Sequence, residues 1–143
     1  MIQSAILDGR VSTHSIAPAQ VIRGAGAWTE SLAAIQSLTQ RPLLLGRSAA
    51  TQSLRDELGY DLRDLGLSVI PQTLDYDCCE RDLQHLEFEL NTHGCDAVIA
   101  AGGGKVLDAG KLLAHRAGRA CITVPLSAAT CAGWTALSNL YSP

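Results

Sequence analysis

Short apolar runs typical of buried strands alternate along this chain with stretches whose apolar residues recur at helical spacing. The predicted strands are residues 17–24, 42–46, 67–72, 96–100 and 120–124. A helix is predicted between each successive pair. Strands that alternate with helices form βαβ units, in which the strands are parallel and the helices cover both faces of the sheet. The sequence therefore predicts a three-layer α/β fold with a parallel sheet.

The composition is typical of one globular domain. The chain has 143 residues, of which 47% are hydrophobic and 17% charged, so we predict a single domain over residues 1–143. A net charge of −3 without a basic run disfavours nucleic acid as a partner. No apolar stretch approaches the roughly 18 residues of a membrane helix, and the first fifteen residues lack the layout of a signal peptide. We expect a cytoplasmic protein.

Cysteine and histidine spacings do not indicate a disulfide framework or a metal site. The five cysteines are odd in number and include no CxxC pair. The four histidines show no HxxxH or HExxH spacing. We therefore interpret the cysteines as reduced thiols and predict no metal ligands within the chain.

Residues 100–114, AAGGGKVLDAGKLLA, place three glycines between a predicted strand and a predicted helix. Ligands of parallel α/β sheets bind beyond the carboxyl ends of the strands. A helix start there offers N–H groups and a partial positive charge to an anion. Gly102, Gly103 and Gly104 would leave room for it, and Lys105 adds a charge. Because three glycines and a lysine occur together at this location, we favour a phosphate or pyrophosphate site over the alternative, a tight turn that binds nothing. The spacing matches neither the GxGxxG dinucleotide pattern nor a Walker loop.

Acidic residues near two predicted helix starts indicate a role less specifically than the glycine segment does. Asp108, one turn into the helix that follows the glycines, is either a surface residue near the positive helix end or a polar ligand contact. Asp77 and Glu80, three residues apart, form the pattern of a capping box at the start of the preceding helix.

The sequences GGGKVLDAGKLLAHRAG and VPLSAATCAGWTALSNLY together resemble the cofactor domain of the iron-containing, or group III, alcohol dehydrogenases. The likeness is greatest to their glycerol dehydrogenase branch, in which GGGKxxDxAK precedes a VPTxxSTDAxxSALSxxY-like segment. It is specific over residues 98–141 and looser upstream. The resemblance implies a Rossmann-like domain that binds NAD or NADP and belongs to an oxidoreductase acting on a polyol or another hydroxy compound.

The resemblance also implies which residues contact the cofactor. The glycine segment would hold the pyrophosphate through Gly102, Gly103, Gly104, Lys105 and Val106, with Asp108 close by. The second segment would lie along the nicotinamide half, and its matching positions are Leu126, Ser127, Ala128, Ala129, Thr135, Leu137 and Tyr141.

Departures from the family pattern affect the substrate and the choice of cofactor. Leu126 replaces a Thr and Ala129 replaces a Ser, while Cys131 replaces the Asp that touches substrate in glycerol dehydrogenases. Cys131 is thus the candidate substrate contact, either as a reactive thiol or as a small buried hydrophobe, and it argues against glycerol. Arg47 stands where many NAD-preferring members carry Asp. It either accepts a 2′-phosphate, which would favour NADP, or is a solvated residue at a helix start.

The family holds its catalytic metal, Fe or Zn, with Asp and His residues of a helical C-terminal domain, and this sequence ends at Pro143, before such a domain would begin. A metal in such enzymes polarises the alcohol oxygen. We therefore expect this chain to bind a dinucleotide without turnover unless a complementary C-terminal domain supplies the metal. Exposure of Trp134, Leu137 and Leu140 would favour a homo-oligomer or another partner.

Two other interpretations of the chain come from different classes. One is a non-catalytic dinucleotide- or phosphate-binding module that acts by assembling with a partner. The other is a dehydroquinate synthase, since those enzymes have a related glycine segment and a VPTT-like loop. They usually lack the ending seen here as ALSNLY, so we rank them lower.

Overall fold

The computed structural model describes residues 18–127, 132, 133, 135, 138, 140 and 141. Helices and strands alternate over these residues in the order α1 (Ala27–Leu38), β1 (Pro42–Gly46), α2 (Gln52–Asp64), β2 (Ile70–Thr73), α3 (Glu80–Thr92), β3 (Ala97–Gly102), α4 (Gly104–Ala117) and β4 (Ala120–Pro125). A short 3-10 turn, Ala49–Thr51, precedes α2. None of the helices in this part of the chain is long and apolar enough to cross a membrane.

The strands form one parallel sheet in the order β2-β1-β3-β4. Gly46 at the end of β1 is paired with Thr73, and Gly102 at the end of β3 is paired with Pro125. All four carboxyl ends therefore meet at one edge of the sheet. The prediction of an α/β fold with a parallel sheet is confirmed.

Helices cover both faces of this sheet because successive side chains of its central strands point in opposite directions. Leu43 and Leu45 of β1 pack in a core with apolar residues of α3 and α4. Leu44 packs on the other face with Ile35 of α1 and Leu62 of α2. The two cores give the three layers that the alternation of strands and helices predicts.

Helix α4 packs tightly behind β3 because residue 110 has no side chain. A methyl group added to Gly110 would overlap the Cβ atom of Ala100 in β3. Both residues are fully buried. This close approach fixes the start of α4 beside the carboxyl end of β3.

The strand predicted over residues 17–24 is wrong for the residues that the structure describes. Residues 18–23 form no strand, and the side chains of Val21 and Ile22 are exposed. Strand propensity reflects packing against neighbouring strands more than an intrinsic backbone preference. Two β-branched residues in an exposed segment are therefore insufficient to make a strand.

Candidate functional site

The glycine junction, residues 102–104 between β3 and α4, has a tightly packed position at Gly102 and an open position at Gly103. Gly102 ends β3, and a Cβ atom placed on it would lie 3.1 Å from the Cβ of Val106. Gly103 is the N-cap residue of α4, and a Cβ atom placed there would have no atom of the described residues within 4 Å. Its φ of −88° is open to any residue. The part of the chain that the structure describes therefore leaves the space beside Gly103 free.

The start of α4 presents backbone N–H groups to this space. Its first helical hydrogen bond runs from the N–H of Leu107 to the carbonyl of Gly103, at 3.1 Å. The N–H groups of residues 104–106 therefore have no acceptor within the helix. Among the described residues no side chain caps the N-terminus, and the helix is 14 residues long. Its dipole adds a partial positive charge at the same place. This combination suits an anion.

Lys105 contributes a full positive charge to the junction, and it forms an ion pair with a carboxylate of the β2–α3 loop. Its side chain is 49% exposed, and its Nζ atom lies 2.9 Å from Oδ2 of Asp77. The other carboxylate oxygen, Oδ1, accepts a hydrogen bond of 2.7 Å from the N–H of Cys78. Burial raises the pKa of Asp77, but these two donors and the charge of Arg47 hold it below the usual value. Asp77 is therefore an anionic partner of Lys105.

Arg47 belongs to the same edge because it directly follows β1. Its side chain is exposed, and its charge lowers the pKa of Asp77. The ends of β1 and β3 and the loop after β2 thus bring together Arg47, Lys105 and Asp77. Two cations and one anion therefore lie at this edge of the sheet.

The capping box predicted for Asp77 and Glu80 is wrong. The N–H groups of Tyr76 and Asp77 donate instead to Oδ2 of Asp82, at 2.6 and 2.9 Å. Glu80 forms two hydrogen bonds with Arg116 of α4, at 2.8 and 2.9 Å. A carboxylate inside the first turn of α3 therefore binds the preceding loop, which leaves the Asp77 side chain for Lys105.

The segment after β4 begins beside the glycine junction. The N–H of Leu126 donates to the carbonyl of Gly102, at 3.0 Å, and the exposed Ser127 follows it. Further on, the carbonyl of Gly133 accepts a hydrogen bond of 3.0 Å from the hydroxyl of Thr123. Leu126 therefore lies beside the glycine junction at the carboxyl edge of the sheet.

The described residues later in this segment contact α4 and the loop before α3. Lys111 donates to the carbonyl of Thr135, at 3.0 Å, with its Nζ atom 3.4 Å from the Thr135 hydroxyl. The N–H of Tyr141 donates to the carbonyl of Cys78, at 2.8 Å. Thr135 therefore lies against the helix of the glycine motif, and Tyr141 lies against the loop that carries Asp77.

Asp108 faces the protein interior. Its side chain is 10% exposed, and its Oδ1 atom lies 3.5 Å from the Nζ atom of Lys111. Val106 is also buried and packs on Gly102. Ala128, Ala129, Cys131, Trp134 and Leu137 lie outside the described residues, so their predicted roles stay predictions.

Asp77 and Lys111 are part of this arrangement, and the sequence reasoning assigned neither of them to the site. Lys111 had a signal, because it closes the GGGKxxDxAK pattern. The sequence signal at Asp77 was misleading, because its spacing from Glu80 indicates helix capping. Its contact with Lys105 depends on how the β2–α3 loop meets the start of α4.

The described residues bring no three His, Cys, Asp or Glu side chains together in a way that could hold a metal ion. The thiol of Cys78 is close to the site but buried. Burial raises its pKa to about 11, and the nearby carboxylates of Asp108 and Asp77 contribute in the same direction. It is therefore a protonated core residue at neutral pH.

The fold and site together define a class: a parallel α/β protein with an open glycine junction at the carboxyl edge of its sheet. The family model described as iron-containing alcohol dehydrogenase matches residues 18–143. The chain belongs to the iron-containing alcohol dehydrogenase family.

Named relatives agree with this membership, and a solved structure shares the fold. An uncharacterized oxidoreductase of Synechocystis sp. is 39% identical over 90% of this chain and 33% of its own length. Hydroxycarboxylate dehydrogenase A of Escherichia coli is 46% identical over 46% of this chain and 18% of its own length. The crystal structure of glycerol dehydrogenase from Schizosaccharomyces pombe aligns with a TM-score of 0.81 at 21% identity, over 92% of this chain and 34% of that one. The chain thus spans about a third of the length of the Synechocystis relative.

Proposed function

We propose that this chain binds NAD or NADP and forms the cofactor-binding part of a dehydrogenase that acts on a polyol or another hydroxy compound. The observation that carries the proposal is the open space beside Gly103, at a helix start without a side-chain cap. Membership of the iron-containing alcohol dehydrogenase family supports it. So do relatives named as hydroxycarboxylate and glycerol dehydrogenases.

Each residue of the junction has a specific task in this proposal. The N–H groups at the start of α4 donate to the pyrophosphate, which enters the space beside Gly103. The Lys105 ammonium group neutralises part of the negative charge of the pyrophosphate. Leu126 and Ser127 lie beside the path toward the nicotinamide ring, which supplies hydride chemistry when the cofactor is bound.

The metal that the family name implies has no fitting ligand set in the part of the chain that the structure describes. We therefore assign no step through a metal to these residues. In the proposal, turnover requires metal ligands from a complementary C-terminal domain, and this chain alone binds the dinucleotide without oxidising an alcohol.

The test is a titration of the 143-residue chain into NADH and NADPH while nicotinamide fluorescence is followed. The proposal predicts a saturable change with at least one of the two. A fluorescence signal that stays unchanged for both cofactors up to millimolar protein would contradict it. Unfolding measured on the same sample shows that the chain is folded during the titration.

A second candidate function is a non-catalytic binding module that assembles with a partner. An apolar groove of about 610 Å³ favours it, lined by the 18–23 segment, α1 and β4. Leu38 and Val21 in its wall are 55% and 46% exposed. Sedimentation of the purified chain tests this candidate, and a clean monomer that captures no partner would remove its support.

A further inference from the structure

Helix α2 presents two arginines and a glycine on one side. Arg55, Gly59 and Arg63 are spaced four residues apart, and residues at this spacing lie on the same face of a helix. This face lines a cavity of about 170 Å³ between α2 and the strands β1 and β2. The strand residues that line the cavity are Leu44, Pro71, Gln72 and Thr73. The cavity shares no residue with the glycine junction, so it is a separate candidate site.

Arg55 is a buried cation without a carboxylate partner among the described residues. Its exposed fraction is 5%, and a Cβ atom placed on Gly46 would overlap its side chain at Nε. Its terminal nitrogens donate to three uncharged acceptors: the Thr51 hydroxyl at 2.5 Å, the Ser48 carbonyl at 2.9 Å and the Gln52 amide oxygen at 2.8 Å. None of the ion pairs among the described residues includes Arg55. Buried charges in proteins are normally paired, so the charge of Arg55 is left for a ligand to compensate.

The Nε–H group of Arg55 is available to such a ligand. The hydrogen bonds of this side chain to described residues all come from Nη1 and Nη2. Every fully buried side-chain nitrogen or oxygen in the described part of the chain has a hydrogen-bond partner, so the Nε atom must be in contact with solvent. The cavity is the open space that Arg55 lines. A donor of a buried cation therefore borders space that a small acceptor can enter.

The lining of the cavity carries a net positive charge. Arg63 is exposed, and its Nη1 atom would lie 3.2 Å from a Cβ atom placed on Gly59, so its guanidinium group lies over the glycine. Asp56 is the carboxylate in the described lining, and its Oδ1 atom accepts a hydrogen bond of 2.8 Å from Gln52. The two arginines therefore outweigh the single aspartate.

We propose that this cavity binds a small oxyanion of the phosphate class, which compensates the charge of Arg55. The guanidinium group of arginine matches the oxygen atoms of phosphate in geometry and charge. A cavity of about 150 Å³ holds a benzene molecule, so this space admits a phosphate ion. Sites for drug-sized ligands measure about 300–1,000 Å³, so the cavity is too small for a nucleotide. The proposal is independent of dinucleotide binding at the glycine junction.

The test is a titration of the isotope-labelled 143-residue chain with inorganic phosphate, followed through its backbone amide resonances by NMR. ADP is present in excess, so that it occupies the glycine junction. We expect saturable shifts at the amides of Gly59 and Thr73, which line the cavity. The amides of residues 103–106 should move with ADP and should not move when phosphate is added afterwards.

Three variants separate binding in the cavity from general effects of charge. Arg63→Met should weaken phosphate binding by up to about fivefold, as for loss of an exposed ion pair. Asp56→Asn should strengthen it, because the substitution removes a negative charge and keeps an oxygen that accepts from Gln52. Arg81→Met is the control, since this arginine of α3 has a side chain that is 71% exposed and does not line the cavity. It should leave the phosphate affinity unchanged.

The buried arginine is tested by two further variants. Arg55→Met should weaken phosphate binding at least about tenfold, as for loss of a charge-assisted hydrogen bond. Arg55→Lys, which retains a charged donor, should recover part of the affinity. Because Arg55 also holds the loop after β1, urea unfolding of both variants shows whether they are folded. The Arg63 and Asp56 variants decide the proposal if they are not.

The outcomes separate this inference from the proposed function. Gly59 and Thr73 amides that stay unmoved into the millimolar range of phosphate overturn the proposal, and so do shifts confined to residues 103–106. Equal phosphate affinity in wild type, Arg63→Met and Asp56→Asn overturns it as well. A chain that shows the Gly59 and Thr73 shifts but binds neither ADP nor NADH supports this site and overturns the proposed function.

Discussion

The Lys105 ammonium and the Asp77 carboxylate form an ion pair of 2.9 Å that links the start of α4 to the β2–α3 loop. Lys105 places a positive charge beside the glycine junction, and Asp77 neutralises part of that charge. The two residues should therefore affect anion binding in opposite directions.

We expect Lys105→Met to weaken ADP binding by about tenfold, because a charge-assisted contact contributes about 1.5–3 kcal/mol and the side chain is half exposed. Asp77→Asn should strengthen ADP binding several-fold, because it removes a negative charge while its amide oxygen still accepts from Cys78. Calorimetric titration at low salt measures both. Lys105→Arg is the matched control and should bind ADP much as wild type does; equal affinities in all variants would remove Lys105 from the site.

Arg47 should distinguish NADPH from NADH. It is exposed at the carboxyl end of β1, on the same edge as the glycine junction. We expect Arg47→Gln to lower NADPH affinity by up to about fivefold, since exposed ion pairs contribute no more than about 1 kcal/mol. NADH affinity should not change. Fluorescence titrations with the two cofactors measure this difference, and a parallel loss of both would show that Arg47 does not read the 2′-phosphate.

Gly110→Ala should destabilise the fold. The added methyl group overlaps the Cβ of Ala100, and overpacking of a core costs about 1–3 kcal/mol. Urea unfolding followed by circular dichroism measures the loss. An unchanged unfolding midpoint would contradict the close approach of α4 to β3.

Asp96 should make part of the folding free energy depend on pH. Burial raises its pKa, but the hydroxyl of Thr39 and the N–H groups of Gln40 and Arg41 donate to it and hold the pKa below the usual value. The ionised group therefore stabilises the fold above the unfolded pKa of about 3.9. This contribution is lost as pH falls through the lower folded value.

The variant Asp96→Asn isolates that contribution. At pH 7 we expect it to lower the free energy of unfolding by about 1–2 kcal/mol, less than a fully buried charged hydrogen bond because the residue is exposed. The difference from wild type should shrink below about pH 4. Asp75→Asn, at an exposed loop position, is the control and should show little difference at any pH. A wild-type advantage that persists at pH 2 would contradict the assignment.

The sequence was sufficient to predict the parallel sheet and the position of the glycine junction, because both depend on local patterns. Buried strands appear in the sequence as continuous apolar runs. The three glycines follow such a run, at the point where α4 begins. The predicted strand before α1 failed because Val21 and Ile22 carry strand propensity without the packing that realises it.

The charged neighbours of the junction could not be predicted in the same way. Asp77 reaches Lys105 across 28 residues of sequence, and its local spacing pointed to helix capping instead. Lys111 reaches Thr135 across 24 residues. Such contacts depend on how loops meet at the sheet edge, which no short pattern in one sequence encodes.

In the proposed function the open position at Gly103 holds the diphosphate, and Gly103→Thr tests this role most directly. Threonine ranks close to glycine as an N-cap residue, so the fold should keep its unfolding midpoint. Its side chain would fill the space beside residue 103, and its hydroxyl would compete for the N–H groups at the start of α4. Calorimetric titration with ADP should show binding to wild type and at least about a tenfold loss in the folded variant, as for a lost charge-assisted contact. Undiminished ADP affinity in folded Gly103→Thr would contradict the claim.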